Sequence, residues 1–336
     1  TIKLQCPCNK PKSVSITAPT ASQVFICEGT ALNLKGTYVD GGKTVVSGIK
    51  YVWYKLPTSP TSISYAAVPV VDKTIATTVA ATDSGKWVLR VEDGTAGLNT
   101  CYTEDTVHVR IDNVVKKQKI AANQTICYNT DANAINAPTG SGGRVGSTVK
   151  YLWYKGTKAG VYTKISPVVT TEDYDPAEKL VDTVYYFRKD SSGVCATVNT
   201  DTVKVSVLKK VDAGTVDGDT TICINTAVNV FRETVKPSGG TGAYTYQWLQ
   251  ATASNGPFST IASATSATYT PPSNLTQDTY YSRIVSSTIT GPPAVTCTTD
   301  TTNVLLVAVI SKNNPGTIGT DQSTCSGVAP STLTSI

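Results

Sequence analysis

Short stretches of alternating apolar and polar residues recur along the chain, and three of them share a central tryptophan. These aromatic segments are KYVWYKL (50–56), KYLWYKG (150–156) and YTYQWLQ (244–250). Their alternation has the period of two that is typical of a β-strand with one buried face. Because a large aromatic side chain buries roughly 150–250 Å², we predict that Trp53, Trp153 and Trp248 are the principal core residues of three small domains.

The segments around each tryptophan follow one order. A short strand ending at a cysteine comes first, followed by a Gly-rich turn and the aromatic strand. Next comes a strand that begins at an acidic turn, as in DSGKWVLRVED (83–93), and then a second cysteine ahead of a closing strand such as CYTEDTVHVRI (101–111). Many short strands separated by Gly, Pro, Asn and Asp are typical of a β-sandwich. The predicted fold class is therefore all-β, with tandem sandwich modules in a linear array.

Cysteines and tryptophans repeat together with a period near 100 residues. The three sets are Cys27–Trp53–Cys101, Cys127–Trp153–Cys195 and Cys223–Trp248–Cys297, and Cys325 begins a fourth. Such a period predicts like-built modules. We expect the end strand of a preceding module and a linker in residues 1–8, three modules in 9–113, 114–209 and 210–310, and the start of a fourth module in 311–336. The absence of methionine, even at position 1, predicts that the chain is a portion of something longer.

Nine cysteines in this regular arrangement indicate an oxidising compartment, where disulfides persist. A metal site does not fit the spacing, because no CxxC motif occurs and His108 is the only other soft ligand. We predict one disulfide within each module: Cys27–Cys101, Cys127–Cys195 and Cys223–Cys297. Chain entropy gives about 4 kcal/mol for closing the first of these loops. Cys6, Cys8 and Cys325 have no partner assigned by the repeat.

The charge pattern argues against nucleic acid as a partner. The net charge of +5 comes partly from linker segments such as KKQK (116–119), whereas only 16% of all residues are charged. Nucleic-acid binding requires a denser basic face with interleaved aromatic residues. No stretch of the sequence reaches the roughly 18 apolar residues that would predict a membrane span.

The tryptophan strands and the segment Asp83–Trp87 resemble immunoglobulin-like domains. Trp87 stands where those domains carry the tyrosine of the tyrosine corner. Two residues beyond it, where antibody-type domains have their second cysteine, this sequence has Leu89. We therefore expect immunoglobulin-like modules whose disulfide lies near one pole of the sandwich and does not cross the core behind the tryptophan.

Three further segments resemble repeats of giant surface proteins. These are GTIGTDQSTCSGVAPSTLTSI (316–336), GTVDGDTTIC (214–223) and KYLWYKG. They are similar to repeats of the cell-surface adhesins of gliding Bacteroidota (the SprB type), which are exported by the type IX secretion system. The resemblance implies a secreted filament of many immunoglobulin-like modules at the cell surface. It also implies adhesion to extracellular surfaces or polysaccharide, and contacts with other modules of the same chain.

The sequence offers little catalytic chemistry. His108 lies in an alternating strand without a second histidine, which favours an exposed strand position. The neighbouring acids Glu104 and Asp105 would point to opposite faces of a strand, so they do not form a paired-carboxylate site. We expect neither enzymatic activity nor a cofactor. The acidic segment DAGTVDGD (212–219) could bind calcium, but a solvated turn explains it better.

Two kinds of glycosylation signal occur. Asn123 and Asn274 begin Asn-X-Thr sequons, which arise readily by chance in a Thr-rich chain. An Asp-Thr-apolar/Thr triplet, which the resemblance associates with O-glycosylation, occurs five times. The candidate acceptors are Thr106, Thr183, Thr202, Thr220 and Thr301. A turn that begins a strand explains the same triplets equally well.

We expect this chain to be a structural and adhesive stalk segment of an extracellular adhesin. One alternative is carbohydrate binding, in which exposed Tyr54, Tyr154 and Tyr186 stack on sugar rings. The other is an accessory region of a secreted enzyme.

Overall fold

A computed structural model describes residues 13–39, 49–56, 67–68, 74–78, 83–93, 102–291, 294–311, 319, 321–323 and 326–332. Every element in these residues is a β-strand. The chain divides into two compact units. Unit 1 comprises Thr1–Gln124, Ala132–Ala177 and Thr183–Val205, and unit 2 comprises Thr125–Asp131, Glu178–Asp182 and Ser206–Ile336. The strand predicted at residues 1–5, together with Cys6, Cys8, Cys101 and Cys325, lies outside the described residues.

The first repeat, in unit 1, contains two sheets. A three-stranded antiparallel sheet has the order β1 (Ser13–Ala18), β3 (Ala31–Val39), β6 (Thr74–Thr78). A five-stranded sheet has the order β2 (Gln23–Cys27), β8 (Tyr102–Asp112), β7 (Gly85–Asp93), β4 (Ile49–Leu56), β5 (Ala67–Val68). Strand β2 pairs in parallel with β8 and all other pairs are antiparallel. This is the ABE and CFG strand order of an immunoglobulin-like sandwich, with the first strand divided between the two sheets.

The core of this sandwich lies between the two sheets. Trp53 of β4 and Leu89 of β7 are fully buried there against Leu34 of β3. Trp87 is also buried, and its indole N–H donates to the carbonyl oxygen of Asp83 at 3.1 Å. The hydroxyl of a tyrosine corner makes the same kind of bond to upstream backbone. The predicted substitution of Trp for Tyr at this corner is thus confirmed.

The second repeat forms one sheet around its own tryptophan strand. Its strands are β9 (Gln124–Ile126), β10 (Lys150–Lys158), β11 (Val161–Lys164), β12 (Val184–Ser191), β13 (Val198–Asn199) and β14 (Val203–Val207). Their order is β11-β10-β12-β14-β9, and β13 pairs with β12. Trp153 of β10 is fully buried, 5.6 Å from the ring of Tyr174.

The third repeat, in unit 2, has a main sheet with the same strand arrangement as the sheet of the second repeat. Its strands are β15 (Thr215–Asp217), β16 (Thr220–Cys223), β17 (Arg232–Val235), β18 (Thr245–Ala251), β19 (Ser259–Thr260), β20 (Thr279–Ser286), β21 (Thr288–Ile289), β22 (Val295–Thr296), β23 (Asp300–Thr301) and β24 (Leu305–Ile310). The main sheet has the order β16-β24-β20-β18-β19, and β15 pairs with β17. Trp248 of β18 is fully buried beside Phe231 and Tyr281.

The prediction of all-β, immunoglobulin-like sandwiches is confirmed, and the tryptophan strands lie within two residues of their predicted limits. Cys195 and Cys297 lie ahead of the closing strands, as predicted, because β14 begins at Val203 and β24 at Leu305. Cys195 lies between β12 and β13, and Cys297 directly follows β22. These locations decide the disulfide pairing.

Candidate functional site: the disulfide-linked junctions

Two disulfides in the described part of the chain join consecutive repeats. Cys27 bonds to Cys195, 168 residues later, and Cys127 bonds to Cys297, 170 residues later. Cys223 is free and exposed. The predicted pairing within each module, Cys27–Cys101, Cys127–Cys195 and Cys223–Cys297, is therefore wrong. The first cysteine of the first repeat and that of the second repeat are each linked forward to the second cysteine of the next repeat.

Strand direction explains the error. In the third repeat, β16 runs parallel to β24, so Cys223 lies opposite Ile310 at the end of that strand. Cys297 lies at the other end of the sheet, because its N–H donates to the carbonyl of Ser287, just after β20. Thr279, which pairs with Val307, is eight residues from Ser287, or roughly 26 Å along a strand. A disulfide requires Cα atoms within about 7 Å, so the two cysteines of one repeat cannot meet.

A buried carboxylate organises the first junction, which lies in unit 1. Asp112, at the end of β8, has 2% of its side chain exposed. It accepts hydrogen bonds from Nε and Nη2 of Arg144 at 3.3 Å and from the backbone N–H of Val194 at 2.8 Å. Asp112 is also the register partner of Cys27. One side chain therefore ties the end of the first repeat to two loops of the second, next to the disulfide.

The guanidinium of Arg144 also covers an aromatic ring. Its Cζ atom lies 3.7 Å from the ring centroid of Phe25, which belongs to β2 of the first repeat. A cation over a ring face is attracted to the ring quadrupole by about 0.5–2 kcal/mol. Arg144 therefore contacts the first repeat in two ways, through its ion pair with Asp112 and through the cation–π contact with Phe25.

Two glycines allow the backbones at this junction to approach closely. The backbones of Gly143 and Asn113 exchange two hydrogen bonds, at 2.8 and 3.0 Å. A Cβ atom on Gly142 would lie 2.0 Å from the carbonyl oxygen of Val114, and one on Gly143 would lie 2.1 Å from the Cβ of Ser192. The sequence predicts only a turn for this Gly-Gly pair. In the structure the pair lies directly against the backbone of Asn113 and Val114, where the two repeats meet.

The second junction, in unit 2, has the same close approach of a Gly-Gly loop to the linker backbone, but its side chains differ from those of the first junction. Gly240 donates to the carbonyl of Lys209 at 2.9 Å, and a Cβ on Gly239 would lie 1.9 Å from the carbonyl oxygen of Lys210. Leu208 and Thr241 stand where the first junction has Asp112 and Arg144. The disulfide packs in an apolar cluster of Cys127, Leu208, Val211, Ala213, Tyr244, Tyr246, Val285, Ile289 and Cys297. The first junction is therefore ionic and the second apolar.

Buried arginines are the second feature that the sequence did not reveal. Arg188 is the register partner of Trp153 on the neighbouring strand, and Arg283 is that of Trp248. Both arginines are fully buried. Leu89 holds the same position opposite Trp53 in the first repeat. The position that carries a cysteine in antibody-type domains is thus Leu, Arg and Arg in the three repeats.

Each buried arginine is compensated by a carboxylate and by backbone carbonyls. Arg188 donates through Nε and Nη2 to the carboxylate of Asp190 at 2.7 and 2.9 Å, and to the carbonyls of Pro138 and Glu172 at 2.9 Å. Asp190 has 1% of its side chain exposed. Arg283 donates to Glu233 at 2.9 Å and to the carbonyls of Ala213 and Ala267. Removing one partner of such a pair would leave an uncompensated buried charge, which is strongly destabilising.

Burial also shifts tyrosine ionisation. Burial is the main cause that raises the pKa of Tyr281 in the third core, and the nearby Tyr269 adds to it. Burial likewise raises the pKa of Tyr54, which donates a hydrogen bond to Glu104. Because both pKa values are raised, both phenols stay protonated well into the alkaline range.

Two of the three tyrosines predicted to stack on sugars are not available. Tyr54 and Tyr186 have exposures of 6% and 0%, so this prediction is wrong for both. Tyr186 lies two residues before Arg188 on the core face of β12, whereas Tyr54 lies on the face of β4 opposite to Trp53 and is buried there beside Glu104. Tyr154 is half-buried and stacks on Phe187, with ring centroids 5.0 Å apart.

The other candidate residues lie apart from the junction contacts. His108 is exposed on β8, as predicted. Among the candidate glycan acceptors, Thr202 and Thr301 are exposed, whereas Thr106, Thr183 and Thr220 are half-buried. Asp105 and Asp300, which begin two of the triplets, accept hydrogen bonds from the backbone N–H groups of Ile16 and Ala213 at 2.7 and 2.9 Å. These aspartates therefore have a structural role as well.

The acidic segment 212–219 does not gather its carboxylates. Asp212 accepts from the N–H of Gly214, Asp217 from that of Gly218, and Asp219 from that of Leu306. No group of three or more His, Cys, Asp or Glu residues that could hold a metal occurs in the part of the chain that the structure describes. No helix of sufficient length and apolarity to cross a bilayer is found among the same residues.

The fold and its junctions define a tandem immunoglobulin-like protein with disulfides between repeats. The family model described as "Domain of unknown function (DUF8696)" matches residues 116–209 and 212–311, so the chain belongs to this family. A search of curated proteins by sequence found no match.

Several solved multidomain structures are similar to this chain. Titin domains I67–I69 (an E-to-A variant) are 12% identical with a TM-score of 0.47, covering 87% of this chain and 96% of that one. Three N-terminal domains of the outer capsid protein Hoc from bacteriophage RB49 are 14% identical with a TM-score of 0.39, covering 89% and 99%. A Ca²⁺-stabilised adhesin with which an Antarctic bacterium binds ice is 14% identical with a TM-score of 0.38, covering 92% and 77%.

Proposed function

We propose that this chain is a tension-bearing segment of an extracellular adhesin, of the giant filamentous kind that gliding Bacteroidota export by type IX secretion. The observation that carries the proposal is the pair of disulfides between repeats, Cys27–Cys195 and Cys127–Cys297. Disulfides persist in oxidising environments, which supports a location outside the cytoplasm. A bond within a domain stabilises that domain alone, whereas a bond between domains keeps them joined under tension.

The junction contacts support the same role. The Gly-Gly loops, the Asp112–Arg144 ion pair and the apolar cluster around Cys127 bury surface between consecutive repeats. The module boundaries 9–113, 114–209 and 210–310 remain our proposal. They are supported by the sheets, each of which is built from the strands of one repeat, and by the two ranges that the family model matches.

Surface exposure and adhesion can be tested on the source cells. Antibodies raised against the 336-residue chain should label intact cells, and their Fab fragments should reduce attachment to glass several-fold. Fab fragments against an unrelated surface protein serve as the control. Labelling that appears only after the cells are permeabilised would contradict the extracellular proposal, whereas surface labelling with unchanged attachment would contradict the adhesive one.

A second candidate function is the binding of an acidic polysaccharide in unit 1. A recess of about 640 Å³ beside the first junction is lined by Gln23, Phe25, Ser84, Arg110 and Arg144. Phe25 is 36% exposed. Among the described residues, Arg110 forms no ion pair. The Arg110 guanidinium at the edge of this recess suits a sugar that carries a carboxylate, since Arg binds carboxylates in two-point geometry.

Replacing Arg110 by alanine should weaken binding of the full chain to alginate about tenfold, because a hydrogen bond to a charged group contributes roughly 1.5–3 kcal/mol. Binding can be measured by calorimetry, with neutral dextran as the uncharged comparison. Arg232→Ala, which removes an exposed arginine of the third repeat, is the matched control. Equal loss in both variants would indicate general charge attraction and contradict a site at the recess.

A further inference from the structure

The two disulfides overlap along the sequence. Cys127 lies between Cys27 and Cys195, and Cys195 lies between Cys127 and Cys297. Three chain segments, 27–127, 127–195 and 195–297, therefore begin at one cross-link and end at the other. They are therefore three alternative covalent paths between the same two cross-links. Their lengths are 100, 68 and 102 residues (127 − 27, 195 − 127 and 297 − 195).

We propose that this overlap gives the chain a further function, that of a tether whose extension is limited covalently. The shortest parallel segment sets the limit. An extended chain spans at most about 3.5 Å per residue, so 68 residues allow the two cross-links to separate by no more than about 240 Å. Without the disulfides, Cys27 and Cys297 are 270 residues apart, which allows about 950 Å.

The pairing also determines which residues carry the tension. A bond between Cys127 and Cys195 would have shielded the residues between them from tension. The observed pairing does the opposite, because segment 127–195 becomes taut before the other two. This segment contains Trp153 and the buried Arg188–Asp190 pair. The network that fixes the second core therefore lies on the path that transmits force.

Overlapping cross-links have a signature that separate cross-links lack. With both disulfides, the shortest covalent path from residue 1 to residue 336 contains 26 residues before Cys27, 68 between Cys127 and Cys195, and 39 after Cys297. Without Cys27–Cys195, segment 27–127 replaces 127–195 on this path, which lengthens it by roughly 110 Å. Without Cys127–Cys297, segment 195–297 replaces 127–195, which lengthens it by roughly 120 Å. Removal of both adds about 700 Å, far more than the two single changes together.

The test is single-molecule stretching of the full chain held at its two ends. The other five cysteines, Cys6, Cys8, Cys101, Cys223 and Cys325, are serine in every variant. We expect Cys27→Ser with Cys195→Ser, or Cys127→Ser with Cys297→Ser, to lengthen the fully extended molecule by about 110–120 Å each. All four changes together should lengthen it by about 700 Å, at roughly 3.5 Å per residue. The proposal would be overturned by increments that add up, or by single increments of about 240 Å, the length that a shielded loop 127–195 would release.

Variants that fold poorly do not compromise the test, because the cross-linked molecule can be reduced while it is held. In the chain that keeps both disulfides, dithiothreitol should release the same length of about 700 Å. Non-reducing peptide mapping should recover Cys27 with Cys195 beforehand. The proposal rests on the proposed tension-bearing role. Its failure is distinct, since extended length does not depend on what the cells adhere to.

Discussion

Replacing Arg188 by leucine should destabilise unit 1 by roughly 3–5 kcal/mol, the usual cost of removing one partner of a buried ion pair. Asp190, with 1% of its side chain exposed, would lose its cation, and the carbonyls of Pro138 and Glu172 would lose a donor. The free energy of unfolding can be measured by urea denaturation with tryptophan fluorescence. Because most globular domains have only about 5–15 kcal/mol in total, the change should be large.

The first repeat supplies the compensating change. Leu89 and Val91, both fully buried, stand where the second repeat has Arg188 and Asp190. The double variant Arg188→Leu with Asp190→Val should therefore recover most of the loss, because a buried pair can be replaced by apolar residues at little cost. A double variant as unstable as Arg188→Leu alone would show that the carbonyl contacts, and not the ion pair, govern this core.

Substitution of Gly142 by alanine should disrupt the first junction. The new Cβ would lie 2.0 Å from the carbonyl oxygen of Val114, so the linker must move. That movement would break the hydrogen bonds that Asn113 and Lys116 donate to Gly143 and Ser141. We expect a loss of about 3–4 kcal/mol, which combines roughly 1–2 kcal/mol for a positive φ with about 1 kcal/mol for each hydrogen bond. Hydrogen exchange at the amides of Asn113 and Lys116 should accelerate.

Gly146 provides the matched control for this prediction. Its φ of +80° is close to the +86° of Gly142, but a Cβ atom there meets nothing within 4 Å. Gly146→Ala should therefore cost only the backbone term of about 1–2 kcal/mol and leave exchange at Asn113 and Lys116 unchanged. Equal effects of the two substitutions would mean that close backbone approach is not what the Gly-Gly loop provides.

Much of each sandwich was predictable from local pattern. The alternation around Trp53, Trp153 and Trp248 identified the central strands, because a strand with one buried face must place apolar residues at every second position. Trp87 was identified as the corner residue because the segment Asp83–Trp87 resembles the tyrosine corner of immunoglobulin-like domains. These features depend on neighbours within a few residues, so one sequence is enough to find them.

The disulfide pairing was not predictable in this way. The shorter separations within a repeat are as acceptable for a disulfide as the observed 168 and 170, since the entropy of loop closure changes only slowly with loop length. The decision depends on strand direction: β2 and β16 pair in parallel with the closing strands and carry their cysteines to the exit end of the repeat. The near-constant forward separation was the one signal in the sequence.

The buried charged residues could not be predicted from the alternation of apolar and polar residues either. Arg188 and Asp190 occupy inward positions of β12 where alternation predicts apolar residues, and their polarity alone would have assigned them to the surface. Asp112 and Arg144 are 32 residues apart and belong to segments that the sequence treated as a strand end and a turn. Only their contact across the junction shows that they act together.

The sequence by itself determined that this protein is a tandem of all-β, tryptophan-centred repeats with a regular set of cysteines. Core burial and strand pleating require apolar residues at every second position of a strand, so the pattern can be recognised locally. Only the tertiary structure decided which cysteines meet and where charge is buried. Both depend on which ends of distant strands lie together, and a period in the sequence does not contain that information.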